Sequence, residues 1–146
     1  MNDTREESDM DWKIEVVTIP VSDIDRAIEF YAEKVGFNVD IDFRVSDEVR
    51  LVQLTPPGSA CSIHLGKNTV DMAPGSIDGV FLVVPDVRAA RAELAGRGVE
   101  VGEIQVFENG AYRTAREGED LDNVGCVFFR DPDGNRWCVQ QIPPRG

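Results

Sequence analysis

The stretch Val124–Ile142, VGCVFFRDPDGNRWCVQQI, decides how the rest of the chain is read. Val127, Phe128 and Phe129 favour a strand. Asp131-Pro132-Asp133-Gly134 makes a turn, in which Pro132 presets φ at the second position and Gly134 accepts the closing conformation. A second apolar run from Trp137 to Ile142 follows at once, so the whole reads as a hairpin. Side chains alternate across a strand, which sends Arg136, Cys138 and Gln140 to one face and Trp137, Val139 and Gln141 to the other. The set that looks into a hollow carries whatever chemistry the hairpin has.

Further toward the N-terminus, Trp12 to Val21 is rich in β-branched residues and reads as a first strand, with Val16, Thr18 and Pro20 on one face and Val17, Ile19 and Val21 on the other. Ser22-Asp23-Ile24-Asp25 opens a helix, with Ser22 as N-cap and Asp25 as its capping-box partner. Ile24, Ala27, Ile28, Tyr31 and Val35 form one apolar stripe, and Gly36 ends the helix. Three β-like runs follow: Phe37 to Phe43, Val49 to Leu54 and Cys61 to Leu65. After a polar, Gly- and Pro-punctuated linker the pattern restarts. Gly79 to Val84 is a strand, Asp86 caps a helix with Val87, Ala90 and Leu94 as its stripe, and Val99 to Val106 is the next strand.

The two halves match in pattern. Val21-Ser22-Asp23-Ile24 aligns with Val84-Pro85-Asp86-Val87, and Gly36-Phe37 with Gly98-Val99, which implies an internal repeat of one βαβββ unit. The charged insertion between Phe107 and Asn123 exceeds the usual connection length and reads as a lid or surface loop, with Tyr112 and Arg113 as residues to cover a ligand. Trp12 and Trp137 are both expected on the helix side of their strands. Asp131, Asp133 and Asn135 lack the length and the later Glu of a calcium loop and read as a structural turn.

A chain of 146 residues with 42% hydrophobic and 29% charged residues suits one globular domain. Its net charge of -12 argues against nucleic acid and anionic membranes as partners. The acidic N-terminus lacks the basic-then-apolar pattern of a signal peptide, so the expected location is cytoplasmic. Three cysteines without CxxC spacing are expected to be reduced thiols.

The repeat, the phrase Ile19-Pro20-Val21-Ser22-Asp23 leading into Arg26-Ala27-Ile28-Glu29-Phe30-Tyr31, Val35-Gly36-Phe37, and the closing Asp131-Pro132-Asp133-Gly134-Asn135 resemble the vicinal oxygen chelate superfamily. That superfamily includes glyoxalase I, bleomycin-resistance proteins and extradiol dioxygenases. The resemblance implies an α+β fold, two βαβββ modules forming a half-open, cup-shaped mixed β-barrel with helices outside, and a homodimer. On this reading residues 1–11 are a disordered acidic tail and 12–143 a single domain, with module 1 over about 12–66, a linker at 67–77 and module 2 over about 78–143.

Enzymes of the superfamily hold a divalent metal on the concave face with His, Glu or Gln from the first and last strands of each module. Carried across, those positions fall on Val16 and Gly79, and on His64 and Cys138, or on Ser62 and Gln140 with the register shifted by two. Val16 and Gly79 have no donor atoms in their side chains, and His64 is the chain's single histidine. Three protein ligands are the usual minimum for a catalytic divalent ion, so no metal ligands and no cofactor are expected. The expected function is binding of a small organic molecule in the cup, through Val16, Thr18, Gln53, Ser62, His64, Phe81, Cys138 and Gln140. The alternative is a lyase or isomerase acting on a carbonyl-type substrate through His64, with or without a metal. In that case His64 and Cys138 are the catalytic candidates, an imidazole positioned to activate a thiol.

Overall fold

The indole N–H of Trp137 donates to the hydroxyl of Tyr31 at 2.9 Å, although 106 residues separate them. That contact joins the two halves of the chain in the computed structural model, which describes residues 9–144. The acidic tail expected over residues 1–11 lies outside the described residues through position 8.

Module 1 comprises β1 (Val16–Pro20), α1 (Ile24–Ile28), a π-helical continuation (Glu29–Val35), β2 (Asn38–Arg44), β3 (Arg50–Thr55) and β4 (Ser62–Gly66). Module 2 comprises β5 (Asp78–Val84), α2 (Val87–Gly96), β6 (Gln105–Glu108), β7 (Ala111–Thr114), β8 (Gly125–Arg130) and β9 (Arg136–Gln141). The first sheet runs β1-β4-β3-β2 and the second β5-β9-β8-β6-β7. In each, the module's first strand lies parallel to its last, because a helix carries the chain across, and the remaining pairs are antiparallel. The repeat read from sequence is therefore a repeat of topology: an α+β fold of two like modules whose open, cup-like sheets do not close on each other.

Local chemistry sets the element boundaries. Asp23, not Ser22, caps α1, its carboxylate accepting from the Arg26 N–H at 3.1 Å. Ser22 is engaged elsewhere, donating through its N–H and hydroxyl to Asp133. After Ile28 the helix widens, and the N–H of Gly36, at φ 94°, closes on the Tyr31 carbonyl. The wider turn brings Phe30 into the core beside Tyr31, a position that a stripe of 3.6-residue period passes over. Asp86 caps α2 as expected, and the Gln141 side chain accepts the Val87 N–H at 2.9 Å from β9.

Further expectations fail. The first strand begins at Val16 rather than Trp12, and Trp12 is 84% exposed instead of packed on the helix side. Val99 to Val106 is not one strand: Val101 makes an isolated bridge to Phe129, and β6 starts at Gln105. The first part of the insertion is no irregular loop, because β6 and β7 form a hairpin about Asn109-Gly110, both at positive φ, and only the residues after Thr114 run without strand or helix.

Both modules share one core. Phe30, Tyr31 and Phe37 of module 1 pack with Phe129 and Trp137 of module 2, the last two stacked at 5° between ring planes. Beneath these rings lies the β8–β9 turn. One Asp131 oxygen accepts from the N–H groups of Asp133 and Asn135, and the other from the Tyr31 hydroxyl and the Asn135 amide. The Asn135 amide also donates to the Pro20 carbonyl and accepts the Ile77 N–H, which ties down β1 and the linker.

Tyr31→Phe removes a hydroxyl that serves two buried groups, and is expected to lower unfolding stability by about 1–3 kcal/mol, measured by urea denaturation. The linker docks on the same turn. A β-carbon at Gly75, φ 83°, would lie 2.1 Å from the Asp133 carbonyl oxygen, whereas one at Gly58, with the same φ, would meet nothing within 4 Å. Gly75→Ala is therefore expected to cost about 2 kcal/mol more than Gly58→Ala in the same measurement.

Candidate functional site

Packing of the helices and aromatic rings on one side of each sheet leaves the other side open. In module 1 the register sets Val16 opposite Ser62, Thr18 opposite His64, and His64 opposite Gln53. Ile41 pairs with Gln53 and Phe43 with Leu51, so these three apolar side chains flank the same row. His64 Nε2 lies 3.0 Å from Gln53 Oε1. With that oxygen accepting, Nε2 is the donor. Ser62 is buried and its hydroxyl is engaged with Thr55 at 2.6 Å, while Thr55 also donates to Asp40. The expected residues Val16, Thr18, Gln53, Ser62 and His64 thus share one face, but Ser62 is spent on structure.

The corresponding face of module 2 has other chemistry. Phe81 lies opposite Cys138, Cys138 opposite Phe128, Val83 opposite Gln140, and Gln140 opposite Cys126. The β6–β7 hairpin adds Phe107 and Tyr112, whose rings stand 5.0 Å apart, with Tyr112 edge-on to Phe128 at 5.2 Å. The Arg136 guanidinium lies 4.4 Å from the centre of the Phe128 ring and donates to Asp78. Phe81, Phe107, Tyr112, Gln140 and the two cysteines line a hollow of about 220 Å³.

The expected residues Phe81, Cys138 and Gln140 come together here, but on a different sheet from His64. Within one chain His64 is partnered by Gln53, and the neighbour of Cys138 is Cys126. Cys126 is held below the ordinary thiol range, chiefly by the Cys138 thiol and further by Arg136, although burial opposes the shift. Cys138 is pushed up by Cys126 and by burial, and the two thiols titrate as a pair. Burial, and then the two thiols, raise Tyr112.

Sequence reasoning missed Cys126, Phe107 and the placement of Tyr112. The signals were present: Asn109-Gly110 between β-forming residues announces a two-residue hairpin, and the register of that hairpin turns Phe107 and Tyr112 to the Cys138 face.

Two of the positions at which the resemblance implies metal ligands carry no donor side chain. Val16 offers no donor. Gly79 is a bulge residue at φ 102°, where a ligating side chain would be strained. Among the described residues no three His, Cys, Asp or Glu side chains converge. No helix among them is long and apolar enough to cross a membrane.

The fold has counterparts among known proteins. Residues 13–139 match the family model of the glyoxalase/bleomycin resistance protein/dioxygenase superfamily. The structure superposes on TnmS3, an antibiotic binding protein from Streptomyces sp. CB03234, with TM-score 0.71 and 29% identity, over 93% of this chain and 99% of that one. A glyoxalase/bleomycin resistance protein from the same organism gives TM-score 0.67 at 31% identity, over 88% and 100%. Virulence protein STM3117 of Salmonella typhimurium strain LT2 is 26% identical over 130 residues, 84% of this chain and 79% of its own. With its doubled module, its two open sheets and a family match over nearly its whole length, the chain belongs to the glyoxalase/bleomycin resistance protein/dioxygenase superfamily.

Proposed function

We propose that this protein binds a small, aromatic-bearing organic molecule on its concave sheet faces, without a divalent metal, in cups completed by a second copy of the chain. The observation that carries the reading is the exposure of apolar side chains on both faces. Phe81 is 50%, Val83 56%, Ile41 46% and Phe43 61% exposed, although each sits mid-strand beside a polar row. A monomer gains nothing from wetting so much apolar surface, and a ligand or partner face that covers it does. His64 and Gln53 on one face, and Gln140 and Arg136 on the other, supply the sparse polar groups that orient a guest.

The second copy follows from how the modules are joined. They pack back to back through α1 and the β8–β9 turn, so each concave face looks outward. A two-fold partner can set the module 1 face of one chain over the module 2 face of the other, which makes two equal cups. The relatives support the ligand class, since TnmS3 is described as an antibiotic binding protein.

The anionic naphthalene dye ANS serves as a probe. Saturable fluorescence enhancement is expected, and Phe81→Ala or Tyr112→Ala should each weaken binding about tenfold. Unsaturable binding, or binding indifferent to both substitutions, would sink the proposal. In light scattering the protein is expected at twice the mass of one chain. Phe43→Asp should yield a folded monomer by circular dichroism, with weakened dye binding.

A further inference from the structure

Cys126 and Cys138 are the chemistry that organic-ligand binding leaves unused. They lie on adjacent antiparallel strands, on the same face, and offset along the diagonal: Cys126 faces Gln140, and Cys138 faces Phe128. Both sulfurs border the hollow of about 220 Å³ whose other walls are mainly aromatic. We infer that this pair is a binding site for a soft, two-coordinate monovalent cation of the Cu(I) type, held between the two thiolates at the floor of the module 2 face.

Spacing selects the guest. Diagonal neighbours across an antiparallel pair have Cα atoms about 7–8 Å apart, with Cβ atoms somewhat closer. A disulfide requires Cβ atoms at about 3.5–4.5 Å and rarely spans more than about 7 Å between Cα atoms, so joining these two sulfurs would require the strands to move. A linear thiolate–metal–thiolate bridge holds its sulfurs two metal–sulfur bonds apart, well beyond the about 2.05 Å of a disulfide, which suits a diagonal pair.

Coordination number narrows the choice. Zinc and other borderline divalent ions need three or four protein donors, and no three His, Cys, Asp or Glu side chains converge among the described residues. Thiolates favour soft ions, and among these Cu(I) accepts two ligands. Binding releases the two thiol protons and leaves a complex of charge -1, beside the Arg136 guanidinium on the same face of β9. No change of oxidation state is involved. Phe81, Phe107 and Tyr112 are each about half exposed and leave a small cation room to enter. Cys61 lies just before β4 of the other sheet, outside the hollow, and serves as an internal control.

The test is an anaerobic titration of the fully reduced protein with Cu(I), in competition with the coloured chelator bicinchoninate. One equivalent is expected to be withdrawn from the chelator. Cys126→Ser and Cys138→Ser should each weaken binding by about 100-fold or more, while Cys61→Ser should leave it unchanged. A measurement on the wild-type chain removes any dependence on variants that fail to fold. Copper X-ray absorption of the complex should show two sulfur neighbours and no nitrogen or oxygen ligand. Failure to withdraw Cu(I), binding that survives both substitutions in the pair, or Zn(II) held as tightly at the same stoichiometry would overturn the inference. So would recovery of a Cys126–Cys138 disulfide after mild peroxide treatment. The readout concerns sulfur alone, so its outcome is separate from that of the dye experiment.

Discussion

A buried carboxylate governs this structure. Asp131 is nearly sealed from solvent, and burial of an ionised group is tolerated only when its lone pairs are occupied. Four donors meet it: two backbone N–H groups of its own turn, the Asn135 amide and the Tyr31 hydroxyl. The first three shape the β8–β9 hairpin, and the fourth reaches across to the helix of the other module. Burial, and then the neighbouring Asp131 charge, raise the Tyr31 phenol far above its ordinary range, so it remains a donor. Closing the hairpin and docking the modules are thus one event, since neither can be completed while this carboxylate lacks a partner.

The orientation of the sheets follows from that event. Tyr31 and Trp137 lie on the core sides of the π-helical continuation of α1 and of β9, and their contact draws the two modules together by their backs. The alternation of a strand then does the rest. Whatever is one residue away from Trp137, namely Arg136 and Cys138, must face outward, as Thr18 must when Ile19 turns into the core. The outward faces are therefore a geometric consequence of core packing. Selection is free to vary them without disturbing the fold, which fits a superfamily in which one scaffold carries unrelated activities.

This separation also explains what could be read from the sequence. The doubled module, the cap at Asp86, the stripe of α1 and the alternation of β9 are local signals, set by neighbours a few residues away, and they were legible. The cap at Ser22 was misread because Asp133, 111 positions later, engages that residue and leaves the cap to Asp23. Phe30 was missed because the helix widens to a π turn, which changes the period by which faces are counted. The site was legible strand by strand and not as a whole. Alternation put His64 and Cys138 on like faces of like modules, but only the three-dimensional packing tells that those faces belong to separate sheets, or that Cys126 is the nearer neighbour of Cys138.

The two faces have diverged in a way that constrains any guest they enclose together. Module 1 presents a hydrogen-bonded row in which His64 and Gln53 fix each other, flanked by the aliphatic Ile41 and Leu51. Module 2 presents edge-on aromatic rings with a guanidinium at their margin and two thiols beneath. Rings that meet edge to face hold each other in position before a ligand arrives, and fixed walls reduce the ordering cost of binding. If two copies close on a guest as proposed, its π system would lie on Phe81 and Tyr112 and its carbonyl or hydroxyl groups would turn toward His64 and Gln53. The vacancy left by Val16 and the bulge at Gly79 makes this arrangement self-consistent. Ligating side chains at those two positions would draw a hydrated cation to the centre of the cup, and an apolar guest would then have to displace it.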